Sequence, residues 1–312
     1  MKIFSFPIVL IFSMLLLTLN SCDNNETFPE RIINTSNPIV VINGTGSFVF
    51  DSFVPLADKP TNVYYHIPAG VTENSRIVVI FHGAARDALE SRDALIANAD
   101  RNQQILIVPE FSNQNFPGGD GYNLGNVFDD GDNPSSASLN SEGEWAFSII
   151  EPLFDHIKLV TANVSTSYHV FGFSAGGQFA HRFIFFKPNA RFNKVVAASS
   201  GWYTMPDDIV NFPYGIKESP ILTNSLTRIF SKQLTVLVGQ ADSDPNSGIR
   251  SNAVVDVQGN NRLARANYFY NQSNSIANSI GASYNWQFVS LPNVNHDLVG
   301  VADFAFNTIF IN

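Results

Sequence analysis

Continuous β-branched runs bounded by turn residues, alternating with helical patterns, constrain this chain most. Arg76–Phe81 (RIVVIF) and Ile105–Pro109 (ILIVP) carry almost no polar side chain. A strand with one wet face alternates, so unbroken apolar runs of this length predict strands buried on both faces. Ser167–Phe173, Lys194–Ala198, Leu234–Gly239 and Asn285–Leu291 read as further strands. Between them, Glu144–Leu159, Gly176–Phe186 and Asn261–Ile280 have helical spacing, and Leu298–Ile311 closes the chain as a helix. Ser47–Phe53 and Asn62–Ile67 alternate and read as two opening strands. The pattern predicts an α/β domain with a mostly parallel central sheet and helices on both faces. Two long irregular stretches, Phe111–Glu142 and Trp202–Ser231, read as loops or lids at the rim of a site.

The N-terminus reads as an address label. Met1-Lys2 is a short positive region, followed by the apolar run Ile3–Leu19. That is the layout of a secretory signal. Leu19-Asn20-Ser21-Cys22 resembles a bacterial lipobox, and Cys22 is the sole cysteine of the 312 residues. The resemblance implies cleavage before Cys22, acylation of its thiol and an exported, membrane-anchored lipoprotein, periplasmic or at the cell surface. More than one acyl chain would anchor it stably. The expected division is residues 1–21 as signal, 22–46 as a Ser/Thr/Asn/Pro-rich flexible tether, and 47–312 as the catalytic domain.

Composition excludes some functions. A lone cysteine forms no internal disulfide and no cysteine-based zinc site. The formal net charge is −9 with no Lys/Arg cluster, so no nucleic-acid partner is expected. At 45% hydrophobic and 14% charged residues the chain has ample core. Its 27 phenylalanines are first of all core, although some suit an apolar site. Asp120, Asp129, Asp130 and Asp132 cluster in an acidic loop, but the spacing fails the EF-hand pattern, and no metal or cofactor is expected.

Gly172-Phe173-Ser174-Ala175-Gly176 sits between a strand and a helix. A sharp strand-to-helix turn with small neighbours is what exposes a nucleophilic serine. A serine hydroxyl is weak until a base takes its proton. Of six histidines, His296 lies just past the last strand, in Pro292-Asn293-Val294-Asn295-His296-Asp297. His66, His82, His156, His169 and His181 read as ordinary surface or core residues, with His82 shaping its loop. The acid should follow a strand between Ser174 and His296 and steady the imidazolium. Asp242 is the first such carboxylate. Asp244 is the alternative, and Asp297 is too close in sequence to its histidine. An oxyanion hole needs fixed N–H donors. Ala175 supplies one, and Ala84 or Ala85, in the His82-Gly83-Ala84-Ala85-Arg86 loop after Arg76–Phe81, supplies the other. Trp202, Tyr203 and the Phe111–Tyr122 loop are candidates for substrate contact, or else for rim packing.

Ser174, Asp242, His296 and the His82-Gly83 loop together resemble the α/β-hydrolase superfamily, over nearly all of Ser47–Asn312. Within it the chain looks most like secreted esterases of the polyhydroxybutyrate-depolymerase-like and feruloyl-esterase-like kind. Tyr64-Tyr65-His66-Ile67-Pro68, Arg86 and Ser200-Gly201-Trp202 are secondary matches. The resemblance implies a serine esterase without a cofactor, acting on a small or polymeric ester. A serine peptidase and a non-catalytic surface-anchored binding module are the alternatives.

Overall fold

Each buried apolar run forms a strand, and their pairing explains where the chemistry sits. A computed structural model describes residues 43–311. The signal segment, Cys22 and most of the expected tether lie outside the described residues. In chain order the strands are β1 (Gly44–Phe50), β2 (Thr61–Ile67), β3 (Ile77–Phe81), β4 (Ile105–Pro109), β5 (Tyr168–Phe173), β6 (Phe192–Ala198), β7 (Gln233–Gly239) and β8 (Gln287–Leu291). The helices are α1 (Ala88–Asn102), α2 (Gly118–Gly121), α3 (Ile150–Thr161), α4 (Ala175–Phe186), α5 (Leu226–Phe230), α6 (Arg262–Ser279) and α7 (Leu298–Phe304). They build one eight-stranded sheet in the order β1-β2-β4-β3-β5-β6-β7-β8. β2 runs antiparallel to both β1 and β4, and every pairing from β4 to β8 is parallel.

The two faces are covered by different helices. Val78, Ile80, Leu106, Phe171 and Leu237 pack with Leu95 and Ala99 of α1 and with Val301 and Ala302 of α7. Residues of alternate parity, Val79, Ile107, Val170, Val195 and Val236, pack with α3, α4 and α6 through Leu153, Phe179 and Phe269. Period-two alternation therefore feeds both hydrophobic layers, as expected for a sheet covered on each side. Many phenylalanines fill the second layer: Phe179 meets Phe81 at 4.5 Å and Phe147 at 4.5 Å between ring centroids.

Three elements differ from the sequence reading. The first strand begins at Gly44, not Ser47, because its extent is set by pairing with β2 from Gly44↔Ile67 to Phe50↔Thr61. Gly46 lies against the Tyr65 ring, a contact that leaves no apolar trace in sequence. Helix α1 is absent from the reading because its buried face mixes Leu95 and Ala99 with Ser91, Arg92 and Asn98. The Arg92 guanidinium donates to the carbonyls of Gly46 and Tyr65, so a polar residue performs a core role there. The expected Glu144–Leu159 helix becomes regular only at Ile150. Pro152 lacks an N–H and is tolerated in a first turn but not deeper.

Candidate active site

The chain leaves β5 and enters α4 through a single residue, Ser174, held at φ 57° and ψ −112°. A left-handed φ on a residue with a side chain costs on the order of 1–2 kcal/mol, and surrounding contacts must impose it. They do. The Ser174 N–H donates to the Ala198 carbonyl at 2.9 Å, and its carbonyl accepts from Gln178 N–H at 3.1 Å. A Cβ on Gly172 would lie 2.1 Å from the Gly176 oxygen, so this corner closes only around glycine.

Two further loops bring the partners. After β7, Gln240 N–H donates to Leu291 O and Ala241 N–H to Val294 O, which ties the β7 loop to the β8 loop. Gly239 allows the approach, since a Cβ there would meet the Val294 oxygen at 2.1 Å. Asp242 and His296 are thereby fixed against each other. His296 Nδ1 lies 2.8 Å from Asp242 Oδ2, and His296 Nε2 lies 3.2 Å from Ser174 Oγ. The Phe173 ring stacks on the His296 imidazole, centroids 4.6 Å apart. Asp242 is buried with a side chain 3% exposed. All these residues follow the carboxyl ends of parallel strands, where ligand sites of open α/β sheets lie.

The other carboxylates are occupied elsewhere. Asp244 is exposed and accepts from the Asn246 N–H at 2.8 Å, bracing its own loop. Asp297 caps α7 through the Val299 N–H at 3.0 Å. In the acidic loop, Asp120 accepts from Gly131 N–H, Asp130 from Asn133, and Asp132 pairs with Arg250. Among the described residues no three His, Cys, Asp or Glu side chains converge as a metal site.

The loop after β3 is built around a neutral imidazole. His82 Nδ1 donates to the Gly83 carbonyl at 2.9 Å, and Nε2 accepts from the Phe111 N–H at 3.1 Å. Burial pushes its pKa down to about 4, which agrees with that single tautomer. Tyr122 stacks on His82 and donates to its carbonyl at 2.7 Å. Arg86 donates to the carbonyls of Phe111, Phe116 and Gly118, lacing this loop to the 111–122 segment. Ala84 and Ala85 occupy the turn closed by Arg86 N–H to Gly83 O. Ala175, at the first helical position of α4, has an N–H without an intrahelical acceptor.

Trp202 is only 4% exposed, with the guanidinium groups of Arg182 and Arg250 at 4.1 and 5.2 Å from its ring. Tyr203 is buried and stacked on Phe269 at 4.4 Å. Phe111, Phe116 and Tyr122 are buried as well. These rings therefore pack the rim and offer little surface to a substrate. His181 is likewise structural: buried, it donates to Gly177 O and accepts from Thr204 N–H.

Arg262 is a site residue missing from the sequence reading. Its Nη1 lies 3.4 Å from Asp242 Oδ1. Twenty residues separate the two, and no spacing signal links them.

No family model and no curated protein matches the chain. Solved structures do. A poly(aspartic acid) hydrolase-1 from Sphingomonas sp. KT-1 is 36% identical, with TM-score 0.82 over 86% of this chain and 100% of that one. The chain belongs to the α/β-hydrolase superfamily of serine hydrolases. A poly(3-hydroxybutyrate) depolymerase from Bordetella parapertussis is 28% identical, with TM-score 0.79 over 86% and 91% of the two chains. An S-formylglutathione hydrolase from Agrobacterium tumefaciens shares the fold at 15% identity and TM-score 0.55, over 85% and 92%.

Proposed function

We propose that this hydrolase cleaves carboxylic esters through an acyl-enzyme on Ser174. The observation that carries the proposal is His296 placed between Ser174 Oγ at 3.2 Å and Asp242 Oδ2 at 2.8 Å. Ser174 Oγ bonds to the ester carbonyl carbon while His296 Nε2 takes its proton. The oxyanion is held by the N–H groups of Ala175 and Ala84. The same Nε2–H then protonates the leaving alcohol oxygen as the carbon–oxygen bond breaks. Water, deprotonated by His296, attacks the acyl carbon, releasing the acid and restoring Ser174. Asp242 holds Nδ1–H throughout and stabilises the imidazolium.

Similarity to a poly(3-hydroxybutyrate) depolymerase favours an ester, small or polymeric. Cleavage of amide bonds by the same three residues is the second reading, favoured by 36% identity to a poly(aspartic acid) hydrolase. At the N-terminus, Cys22 is proposed to be acylated, placing the enzyme on a membrane as an exported lipoprotein. Hydrolysis of p-nitrophenyl esters of graded chain length, a feruloyl ester and a p-nitroanilide, by the full chain and by Ser174→Ala, tests the proposal. Ester cleavage lost in the variant supports it. Cleavage of the anilide alone favours the amide reading, and inactivity of the native chain favours a binding module.

A further inference from the structure

The acid of the site has two side-chain partners, not one. Asp242 Oδ2 faces His296 and Oδ1 faces Arg262 Nη1 at 3.4 Å. Both side chains of the second pair are withdrawn from water, Arg262 at 10% and Asp242 at 3% exposure. The contact is placed by backbone. Asn261 caps α6 by accepting from Ala264 N–H at 2.8 Å, and Leu263 N–H donates to the Asp242 carbonyl at 3.2 Å. The first turn of α6 is thus pinned to the acid's own main chain, with Arg262 between the two bonds.

Arg262 also carries a cost. Its Nε is buried without a hydrogen-bond partner. A buried donor left without an acceptor is unfavourable. A compensating role is therefore expected of the head group, and the adjacent buried carboxylate supplies it. Without Arg262, the buried Asp242 carboxylate would rest on His296 alone, which is unfavourable for a charge withdrawn from water.

Building on the proposed triad, the geometry points to Arg262 as a positioning residue of this hydrolase. It holds Asp242 turned so that Oδ2 alone meets His296. At 3.4 Å the hydrogen bond is long, so the charge of Arg262 counts for more than its alignment. That charge also opposes protonation of the imidazole. The groups facing the pair are Ser174 and Phe173 from the elbow, Arg262 from α6, and Tyr203 from the loop after β6. Tyr203 is a buried phenol whose pKa is pushed up by burial and further by the charge of Asp242. Asp297 adjoins His296 but is engaged in capping α7. Arg265, one turn along α6, is directed away, donating to Gly201 O, Gly259 O and Asp256.

The test is the pH dependence of ester hydrolysis by the full chain carrying Arg262→Gln or Arg262→Lys, with Ser174→Ala in parallel. The glutamine variant is expected to move the acid limb of kcat/KM upward by about half a unit to one unit, since a positive charge near the imidazole is lost. Its kcat should fall roughly tenfold with KM unchanged within about twofold, because the group does not touch substrate. The lysine variant should return the limb to its native position. An unmoved limb in the glutamine variant, whatever its kcat, would overturn the inference and leave the triad standing. Hydrolysis that survives Ser174→Ala would overturn both. If the glutamine variant does not fold, the lysine variant decides: a native limb supports the charge role and a displaced one refutes it.

Discussion

Gly176 sits so close to Phe81 that a Cβ on it would lie 1.9 Å from the Phe81 carbonyl oxygen. The contact joins the helix that follows the elbow to the end of β3, next to the loop that holds Ala84. Gly176→Ala should therefore displace two parts of the site at once. We expect a loss of about 2 kcal/mol or more of stability and at least a tenfold fall in kcat/KM, measured by thermal unfolding and ester hydrolysis. A fully active, equally stable alanine variant would show that the corner can relax.

Asp242 and Asp244 lie two residues apart but in different surroundings. Asp242→Asn should lower kcat by about a thousandfold or more, as loss of the orienting acid does in such triads. Asp244→Asn should stay within about threefold of native, since its carboxylate only braces an exposed loop. The pair of kinetic measurements assigns the acid directly.

His169 is buried on β5 and stacked on Phe310, and burial, helped by Arg76 and Lys194, pushes its pKa down to about 4. The unfolded chain therefore takes up the proton first. Its contribution to stability is complete above about pH 6.5 and is lost as the pH falls toward 4, by up to about 3 kcal/mol. His169→Leu should flatten the fall of Tm between pH 7 and 5 relative to the native chain. An identical pH dependence would argue against a neutral buried imidazole there.

The anchor has its own test. If Cys22 is acylated, Cys22→Ala should move the protein from the membrane fraction to the soluble one, and unchanged membrane partition would count against a lipid anchor.

The sheet was legible because RIVVIF and ILIVP admit few structures other than doubly buried strands. The elbow was legible because its glycines are enforced by backbone approaches under 3 Å. Helix α1 was not, since its buried face includes an arginine whose partners are backbone carbonyls from β1 and β2. Arg262 was hidden for a related reason: its significance comes from α6 being pinned to the β7 loop, a tertiary contact that leaves no periodicity. For Trp202 the sequence left substrate contact and rim packing both open. The guanidinium groups of Arg182 and Arg250 beside its ring place it in the rim packing.

Ser174, activated by His296, is the proposed nucleophile. Treatment of the full chain with a fluorophosphonate, followed by peptide mass mapping, puts that assignment to the test. A single adduct on Ser174 is expected, absent in Ser174→Ala and formed far more slowly in His296→Ala. An unlabelled native chain, or an adduct on another residue, would contradict it.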